Sequence, residues 1–282
     1  ECIMKLKEFL SFLPRNAGEM PPVQPCSDPI DRREENLLNM VPLSHKRMYD
    51  MYRVIRAVVD HGNIFDIKPD WAKNMITCLA RMNGHPVGIV ANQSMFMAGV
   101  IDTPASEKMS HFVEMCDAFN IPIILLTDVP GFMAGPDHER SGLVRRGMKT
   151  LYALGHCSVP IISVIIRKCY GMGGYVMGMG RGYQPNLLIG WPTAELGGMG
   201  LEGAAEILHR KKIAESEDPE RLRAELAEEL RSKIRAVPTA KKYGLDDVID
   251  PRDTRPVLIK ALDSFKSRDP HLPPKKHGIS PI

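Results

Sequence analysis

Apolar and polar residues follow one another along this chain in an order that predicts strands alternating with helices. Continuous apolar runs, typical of strands buried on both faces, lie at residues 121–128, 159–166 and 187–191. Apolar residues spaced three or four positions apart predict helices at residues 43–59, 106–120, 142–154, 201–209 and 256–265. Parallel strands joined through helices are therefore expected, which is the α/β class.

A hairpin is predicted ahead of these alternating units. Residues 73–82 and 86–91 are the predicted strands, and Asn83-Gly84 between them is a dipeptide preferred in two-residue hairpin turns. Ser44 is the expected N-cap of the first predicted helix, because its hydroxyl can accept a hydrogen bond from the first helical turn.

The two ends of the chain depart from this pattern. Residues 16–29 are rich in proline and lack regular periodicity, as is typical of a linker. We therefore divide the chain into residues 1–27, the end of a preceding domain plus a linker, and residues 28–282, one domain. The charged segment 215–235 predicts a solvated amphipathic helix, and residues 270–282 predict a basic tail.

Composition excludes several classes of protein. Of the 282 residues, 44% are hydrophobic and 25% charged, and the formal net charge of +3 is too small to indicate nucleic-acid binding. The six cysteines contain no CxxC pair and the nine histidines no HxxxH or HxH pair, so we assign no metal site. No apolar run approaches the roughly 20 residues that a membrane span needs. Scattered thiols fit a cytosolic or matrix-like compartment.

The most informative segment is residues 159–179, where an apolar run ends in a turn dense in glycine. Gly171, Met172, Gly173 and Gly174 form this turn, and residues that can begin a helix follow it. A strand that enters a helix through such a turn directs several backbone N–H groups into one small space, where they can stabilise an oxyanion. Close packing of strand against helix is the structural alternative for the same glycines.

Five blocks of sequence occur in a recognisable order. They are ARMNGHPVGIVANQ, CDAFNIPIILLTDVPGF, YGMGGYVMG, WPTAELGGMG and PPKKHGISPI. Together they resemble the biotin-dependent acyl-CoA carboxyltransferases, and specifically the C-terminal half of the β subunits of propionyl-CoA- and methylcrotonyl-CoA-type carboxylases. The resemblance extends from about Asp28 to the last residue. It implies a crotonase/ClpP-like fold, a spiral of ββα units.

The resemblance also implies an activity and a set of partners. The expected reaction transfers CO₂ from carboxybiotin to the α-carbon of a short or branched acyl-CoA. Biotin would be carried on a partner protein, either a biotin carboxylase subunit or a biotin carboxyl carrier. An N-terminal carboxyltransferase half would hold the acyl-CoA, and the oligomer would be a ring of six. The expected location is the cytoplasm, or the mitochondrial matrix in a eukaryote.

Site residues follow from the same resemblance. Two backbone N–H groups in the glycine turn are expected to form the oxyanion hole for the biotin ureido oxygen, and they belong to the set Met172, Gly173 and Gly174. The biotin pocket is expected to include Tyr170, Gly171, Gly131 and Phe132. The acyl end of the substrate is expected to face Tyr175 and Val176.

Several alternatives remain open from the sequence. Phe132 is equally compatible with a core position beside an ordinary turn, and Asp128 is compatible with capping that turn in solvent. A carboxyltransferase of a biotin-dependent acyl-CoA decarboxylase would use the same site in the opposite direction. A non-catalytic fragment that only assembles a larger complex is the third possibility.

Overall fold

A computed structural model describes residues 1–45, 47–179, 185–242, 244–267 and 281. The strands are β1 Ile64–Asp66, β2 Met75–Met82, β3 His85–Asn92, β4 Ile123–Val129, β5 Ile161–Tyr170, β6 Leu187–Gly190, β7 Glu195–Gly197 and β8 Asp247–Val248. The helices are α1 Cys2–Leu10, α2 Leu37–Met40, α3 Met51–Val58, α4 Thr103–Ala118, α5 Pro136–Arg140, α6 Leu143–His156, α7 Gly171–Gly174, α8 Leu201–Leu208, α9 Arg210–Ala214, α10 Pro219–Ile234, α11 Ala236–Ala240 and α12 Thr254–Ser264. Apart from residue 281, the predicted basic tail lies outside the described residues.

The strands form one mixed sheet in the order β1-β2-β3-β4-β5-β6-β8, and β7 pairs with the end of β5. The pairs β1–β2 and β2–β3 are antiparallel, whereas β3, β4, β5, β6 and β8 run parallel. Parallel neighbours need crossover connections, and α4 and α6 provide them at the centre of the sheet. The predicted α/β class is confirmed.

Helices cover both faces of the sheet, which explains why the central strands are apolar throughout. Along β4, Ile124 packs with α3 and α12, and its neighbour Leu125 packs with α4 and α6. The alternation is the period of two that a strand imposes on its side chains. A strand covered on both faces cannot carry a polar stripe, so the continuous apolar runs are a direct consequence of the layers.

The predicted hairpin between β2 and β3 is confirmed, and a buried carboxylate secures its turn. Asn83 and Gly84 have φ values of 49° and 79°. Their N–H groups donate to Asp60 at 2.9 and 2.8 Å, and Arg255 donates to the same carboxylate at 2.8 Å. Burial favours the neutral acid, but these donors hold the pKa of Asp60 below its ordinary value.

Two predicted boundaries were wrong. The helix expected from residue 43 begins at Met51, with Asp50 rather than Ser44 as the N-cap; Asp50 accepts from Tyr52 N–H at 3.0 Å. The strand expected to end at residue 166 continues to Tyr170. Both differences arise where tertiary hydrogen bonds hold the carbonyls of Pro42, Ser44 and Arg47 and the end of β5, and periodicity carries no information about such bonds.

The proline-rich stretch has no regular secondary structure, as expected, but it is attached to the domain. Arg81 donates to the carbonyls of Ser11 and Pro22 at 2.7 and 3.0 Å, and Asn120 donates to two further carbonyls of the stretch. Phe12 is buried in the same cluster as α4. The division at residue 27 stays a prediction. Across the described residues, no helix is both long and apolar enough to cross a bilayer.

Gly84 provides a test of the hairpin turn. Replacing it with alanine puts a Cβ 1.8 Å from the Gln24 carbonyl oxygen at a φ of 79°, so we expect the free energy of unfolding to fall by about 2 kcal/mol or more. Urea denaturation measures the change. The control is Gly203→Ala in α8, where an added Cβ meets nothing within 4 Å and the expected effect is a gain of about 0.5–1 kcal/mol. Equal effects of the two substitutions would contradict the prediction.

Candidate active site

Two glycine turns meet at the ends of the central parallel strands. The first, Gly171–Gly174, follows β5 directly, is the first turn of a helix, and continues into a π-helical turn, Tyr175–Met179. A Cβ built on Gly173 would lie 2.7 Å from the carbonyl carbon of Gly131 in the second turn, which follows β4. Backbone therefore rests on backbone, and only glycine at position 173 permits this distance.

The second turn is secured by the loop that precedes α4. Ile101 N–H donates to the Gly131 carbonyl at 3.0 Å, and Met133 N–H donates to the Ile101 carbonyl at 2.8 Å. Gly131 has a φ of 144°, which strongly favours glycine. Phe132 is partly buried, and its ring lies where a Cβ on Gly147 of α6 would approach to 2.8 Å. The ring thus packs on α6 at the margin of the site.

The first glycine turn presents backbone donors rather than side chains. Tyr170 is its N-cap and, within the described residues, provides no side-chain cap. The first N–H groups of any helix lack partners inside the helix. Met172 is 47% exposed, whereas Gly173 and Gly174 are buried. The turn therefore offers several amide donors, and the exposure of Met172 places them close to solvent.

A third glycine-rich segment borders the first turn. The carbonyl oxygen of Gly198 lies 3.3 Å from the position of a Cβ on Gly171. Met199 next to it is 45% exposed. The exposed methionines at 172 and 199 thus give the site an apolar border.

The predicted acyl-facing residues differ in their burial. Tyr175 is partly buried. Val176 is fully buried and packs in the cluster that contains α4 and α6. Substrate contact by either residue stays a prediction, and for Val176 a contact would require that the substrate reach this cluster.

A buried ion pair joins the two strands that lead into the turns. Asp128 is 0% exposed and Arg167 1% exposed, and Arg167 Nη2 donates to Asp128 at 2.9 Å. Asp128 also accepts from Lys168 N–H at 3.0 Å, where the β4–β5 register shifts. Of the two roles open for Asp128 from the sequence, orienting neighbouring amides or capping a turn in solvent, the second is wrong, because the strands extend far enough to bury the carboxylate.

Arg167 also binds the segment that precedes α3. Its Nη1 donates to three carbonyls, those of Pro42, Ser44 and Arg47, at 3.0–3.2 Å. The guanidinium lies 5.0 Å from the ring centroid of Tyr49. Five donors in a planar fork can satisfy a carboxylate and several carbonyls at once, which lysine cannot do. Residues 41–45 and 47–50 are thereby fixed beside the ends of β4 and β5.

Glu195 in β7 is the second buried acid near the turn. It is 4% exposed, and its carboxylate accepts from the Tyr170 hydroxyl. His45 Nε2 and Arg231 Nε lie 3.0 and 3.2 Å from its other oxygen. Burial favours the neutral acid, but the hydrogen bonds and the guanidinium keep the pKa of Glu195 below its ordinary value. In the sequence, the signal for a buried role of Glu195 was an acid placed between apolar and glycine residues.

A cavity of about 820 Å³ has Glu195 in its wall. Residues 43–45, residues 192–195 and one side of α10 line it. In the described ranges, no group of three or more His, Cys, Asp and Glu side chains is placed so that it could hold a metal ion.

The arrangement can stabilise negative charge without a titrating side chain. Backbone donors at the start of a helix are preorganised, so they need no reorientation when charge develops. Of the residues predicted from the sequence, Gly173 and Gly131 are in direct contact and Phe132 lies next to them. A spiral α/β fold with such a turn after a central strand defines the crotonase-like class.

Comparison with known proteins identifies the family within this class. Residues 1–280 match the carboxyl transferase domain. The chain belongs to this family.

Individual relatives agree with the family. The propionyl-CoA carboxylase carboxyltransferase subunit of Haloferax mediterranei is 43% identical over 100% of this chain and 55% of its own length. The methylmalonyl-CoA decarboxylase subunit alpha of Veillonella parvula is 41% identical over 100% of this chain and 54% of its own. A crystal structure of the transcarboxylase 12S hexamer with bound methylmalonyl-coenzyme A has a TM-score of 0.92 at 40% identity, covering 99% of this chain and 54% of that one. The chain spans about half the length of these relatives.

The buried ion pair yields a stability prediction. Arg167→Met removes the guanidinium from the buried Asp128 carboxylate and leaves it the Lys168 N–H and the more distant Lys168 ammonium, with Nζ at 3.9 Å, so the free energy of unfolding is expected to fall by about 3 kcal/mol. The double variant Asp128→Asn/Arg167→Met removes the stranded charge and is expected to recover part of this loss. Urea denaturation measures both. A double variant no more stable than the single one would show that the charge is not what destabilises the protein.

Proposed function

We propose that this chain is the biotin-binding half of a biotin-dependent acyl-CoA carboxyltransferase. The observation that carries the proposal is the contact between Gly173 and Gly131, where an added Cβ would lie 2.7 Å from backbone carbon. It brings a turn of backbone donors against a second glycine turn at the ends of adjacent parallel strands. Family membership supports the same function.

The site has the chemistry that a biotin ureido group requires. Its oxygen needs donors where negative charge develops, and the N–H groups of two residues among Met172, Gly173 and Gly174 meet that need. The pocket walls in this proposal are Tyr170, Gly171, Gly131 and Phe132, in keeping with the exposed apolar methionine beside the turn. Carboxybiotin, when bound, would supply the CO₂ and afterwards a nitrogen that accepts the α-proton.

The residues of this chain would therefore orient and stabilise rather than exchange protons. The amide donors hold the ureido oxygen while charge develops on it, and the buried Asp128–Arg167 pair keeps the two turns at a fixed separation. The two buried acids beside the glycine turn already have partners. Asp128 pairs with Arg167, and Glu195 contacts Tyr170 and His45. A protein base is not needed for the transfer.

A short acyl-CoA of the propionyl-CoA type is the proposed substrate. Relatives named for propionyl-CoA or methylmalonyl-CoA are 38–43% identical to this chain. Solved structures of a long-chain acyl-CoA carboxylase and a geranyl-CoA carboxylase β subunit are only 32% and 27% identical. Tyr175 and Val176 would face the acyl end.

The proposed partners are an N-terminal carboxyltransferase half and a biotin-carrying subunit, within a ring of six. The hexameric assembly of the transcarboxylase 12S structure supports the ring. A cytoplasmic or mitochondrial location stays a prediction, and the Mus musculus relative is named as mitochondrial. The direction of transfer is tested by supplying the carboxylated or the uncarboxylated acyl-CoA.

Met172 allows a test of the backbone donors. Met172→Pro deletes one N–H in the first helical turn, where proline is tolerated sterically, and is expected to lower kcat for carboxyl transfer about 10²–10³-fold. Met172→Ala also removes the exposed side chain but keeps the N–H, so it is expected to be at least about 30-fold faster than the proline variant. Steady-state assays of the complete enzyme with its biotin carrier decide the matter. Similar rates for the two variants would exclude the Met172 N–H as a donor and leave those of Gly173 and Gly174.

The division of labour between the halves gives a second prediction. The isolated chain is expected to carboxylate propionyl-CoA at a rate near background, because the proposed acyl-CoA site lies on the other half. Slow loss of CO₂ from free carboxybiotin is expected to persist, since that step needs only the donors of this chain. Product formation is followed with labelled bicarbonate or carboxybiotin. Robust carboxylation by the isolated chain would contradict the proposed division.

A further inference from the structure

Glu195 connects three segments that are far apart in sequence, and one of them leads directly into the glycine turn. Tyr170 ends β5, His45 lies in residues 41–50, and Arg231 lies on α10. The carboxylate is 4% exposed, so these contacts are made in a medium where charged hydrogen bonds are strong and an unpaired charge is costly.

Tyr170 is the residue through which this cluster acts on the turn. Its ring is 5% exposed and its hydroxyl is held by Glu195. Burial, followed by the hydrogen bond to Glu195, raises the pKa of Tyr170, so the phenol stays a neutral donor. The next residue, Gly171, has a φ of 56° and many accessible conformations. Anchoring the Tyr170 side chain therefore restricts where the chain enters the turn.

The other contacts of Glu195 are themselves fixed. Residues 42, 44 and 47 on either side of His45 are held by Arg167 through their carbonyls, so the position of His45 is restricted. Arg231 also pairs with Glu228 on the same helix. Strand β7, which carries Glu195, pairs with Lys168, Cys169 and Tyr170 at the end of β5. Because these contacts hold the Glu195 carboxylate in place, the Tyr170 side chain bound to it has little freedom to move.

From these contacts we infer that Glu195 is a positioning residue, which acts through the Tyr170 hydroxyl to hold the glycine turn in the geometry that carboxyl transfer needs. The inference rests on the proposed function for its effect on rate, but not for its effect on the turn. Misplacement of preorganised donors by a fraction of an ångström is enough to lower a rate strongly.

The test removes the hydroxyl alone. Tyr170→Phe in the complete enzyme is expected to lower kcat per active site at least about tenfold, with KM for the acyl-CoA within about twofold, because the N-terminal half would hold the acyl-CoA and only its acyl end would face this chain. In the same variant, amide hydrogen exchange of the peptide covering residues 170–176 is expected to be at least about tenfold faster. The matched control, Tyr152→Phe on α6, removes a hydroxyl remote from Glu195 and is expected to change neither quantity.

A second variant keeps the test independent of any single substitution. Glu195→Gln retains the shape and one acceptor, and its effects are expected to be smaller than those of Glu195→Ala. Because both act on one contact, the double variant Tyr170→Phe/Glu195→Gln is expected to be no slower than the slower single variant. Glu229→Gln, in an exposed pair on α10, is the control.

The two measurements separate the possible failures. Unchanged exchange at residues 170–176 in Tyr170→Phe overturns the positioning role whatever the activity, and so do additive effects on kcat in the double variant. Absence of biotin-dependent transfer in the parent enzyme, with faster exchange in Tyr170→Phe, overturns the proposed function and leaves the positioning role supported.

Discussion

The close approach of two backbone segments, Gly173 against Gly131, is the constraint on which the candidate site depends. A Cβ at position 173 would lie 2.7 Å from backbone carbon that cannot move aside as a flexible side chain can. The two turns follow β4 and β5, which are adjacent parallel strands, so both leave the sheet at the same edge. Everything that fixes the ends of these strands therefore also fixes the separation of the turns.

Two buried acids fix those strand ends, each in a different way. Asp128 pairs with Arg167 across the β4–β5 register shift, and Arg167 extends the connection to residues 41–50. Glu195 connects Tyr170 to the same segment through His45. Both carboxylates are buried away from water, and several hydrogen-bond donors offset the free-energy cost of desolvating each one. The ends of β4 and β5 around the turn are thus held in place by buried, hydrogen-bonded carboxylates.

This rigidity accords with a mechanism based on backbone donors. A side-chain base can adjust its position by rotating, whereas an amide N–H points where the chain directs it. Preorganisation must then come from packing and hydrogen bonds outside the turn, and the described residues supply both. The apolar clusters on the two faces of the sheet support the strands, and the buried ion pair and the Glu195 cluster support their ends.

The sequence by itself determined the α/β class, the Asn83-Gly84 hairpin, the glycine turn after the long apolar run and, through its sequence blocks, the family. These features depend on local patterns, because periodicity and turn residues reflect conformational preferences of short segments. It did not determine that residues 41–45 and 47–50 are irregular, that β5 continues to Tyr170, or that Asp128 and Glu195 are buried. Those outcomes depend on partners such as Arg167 and His45, which lie tens of residues away and come close only when the sheet is assembled.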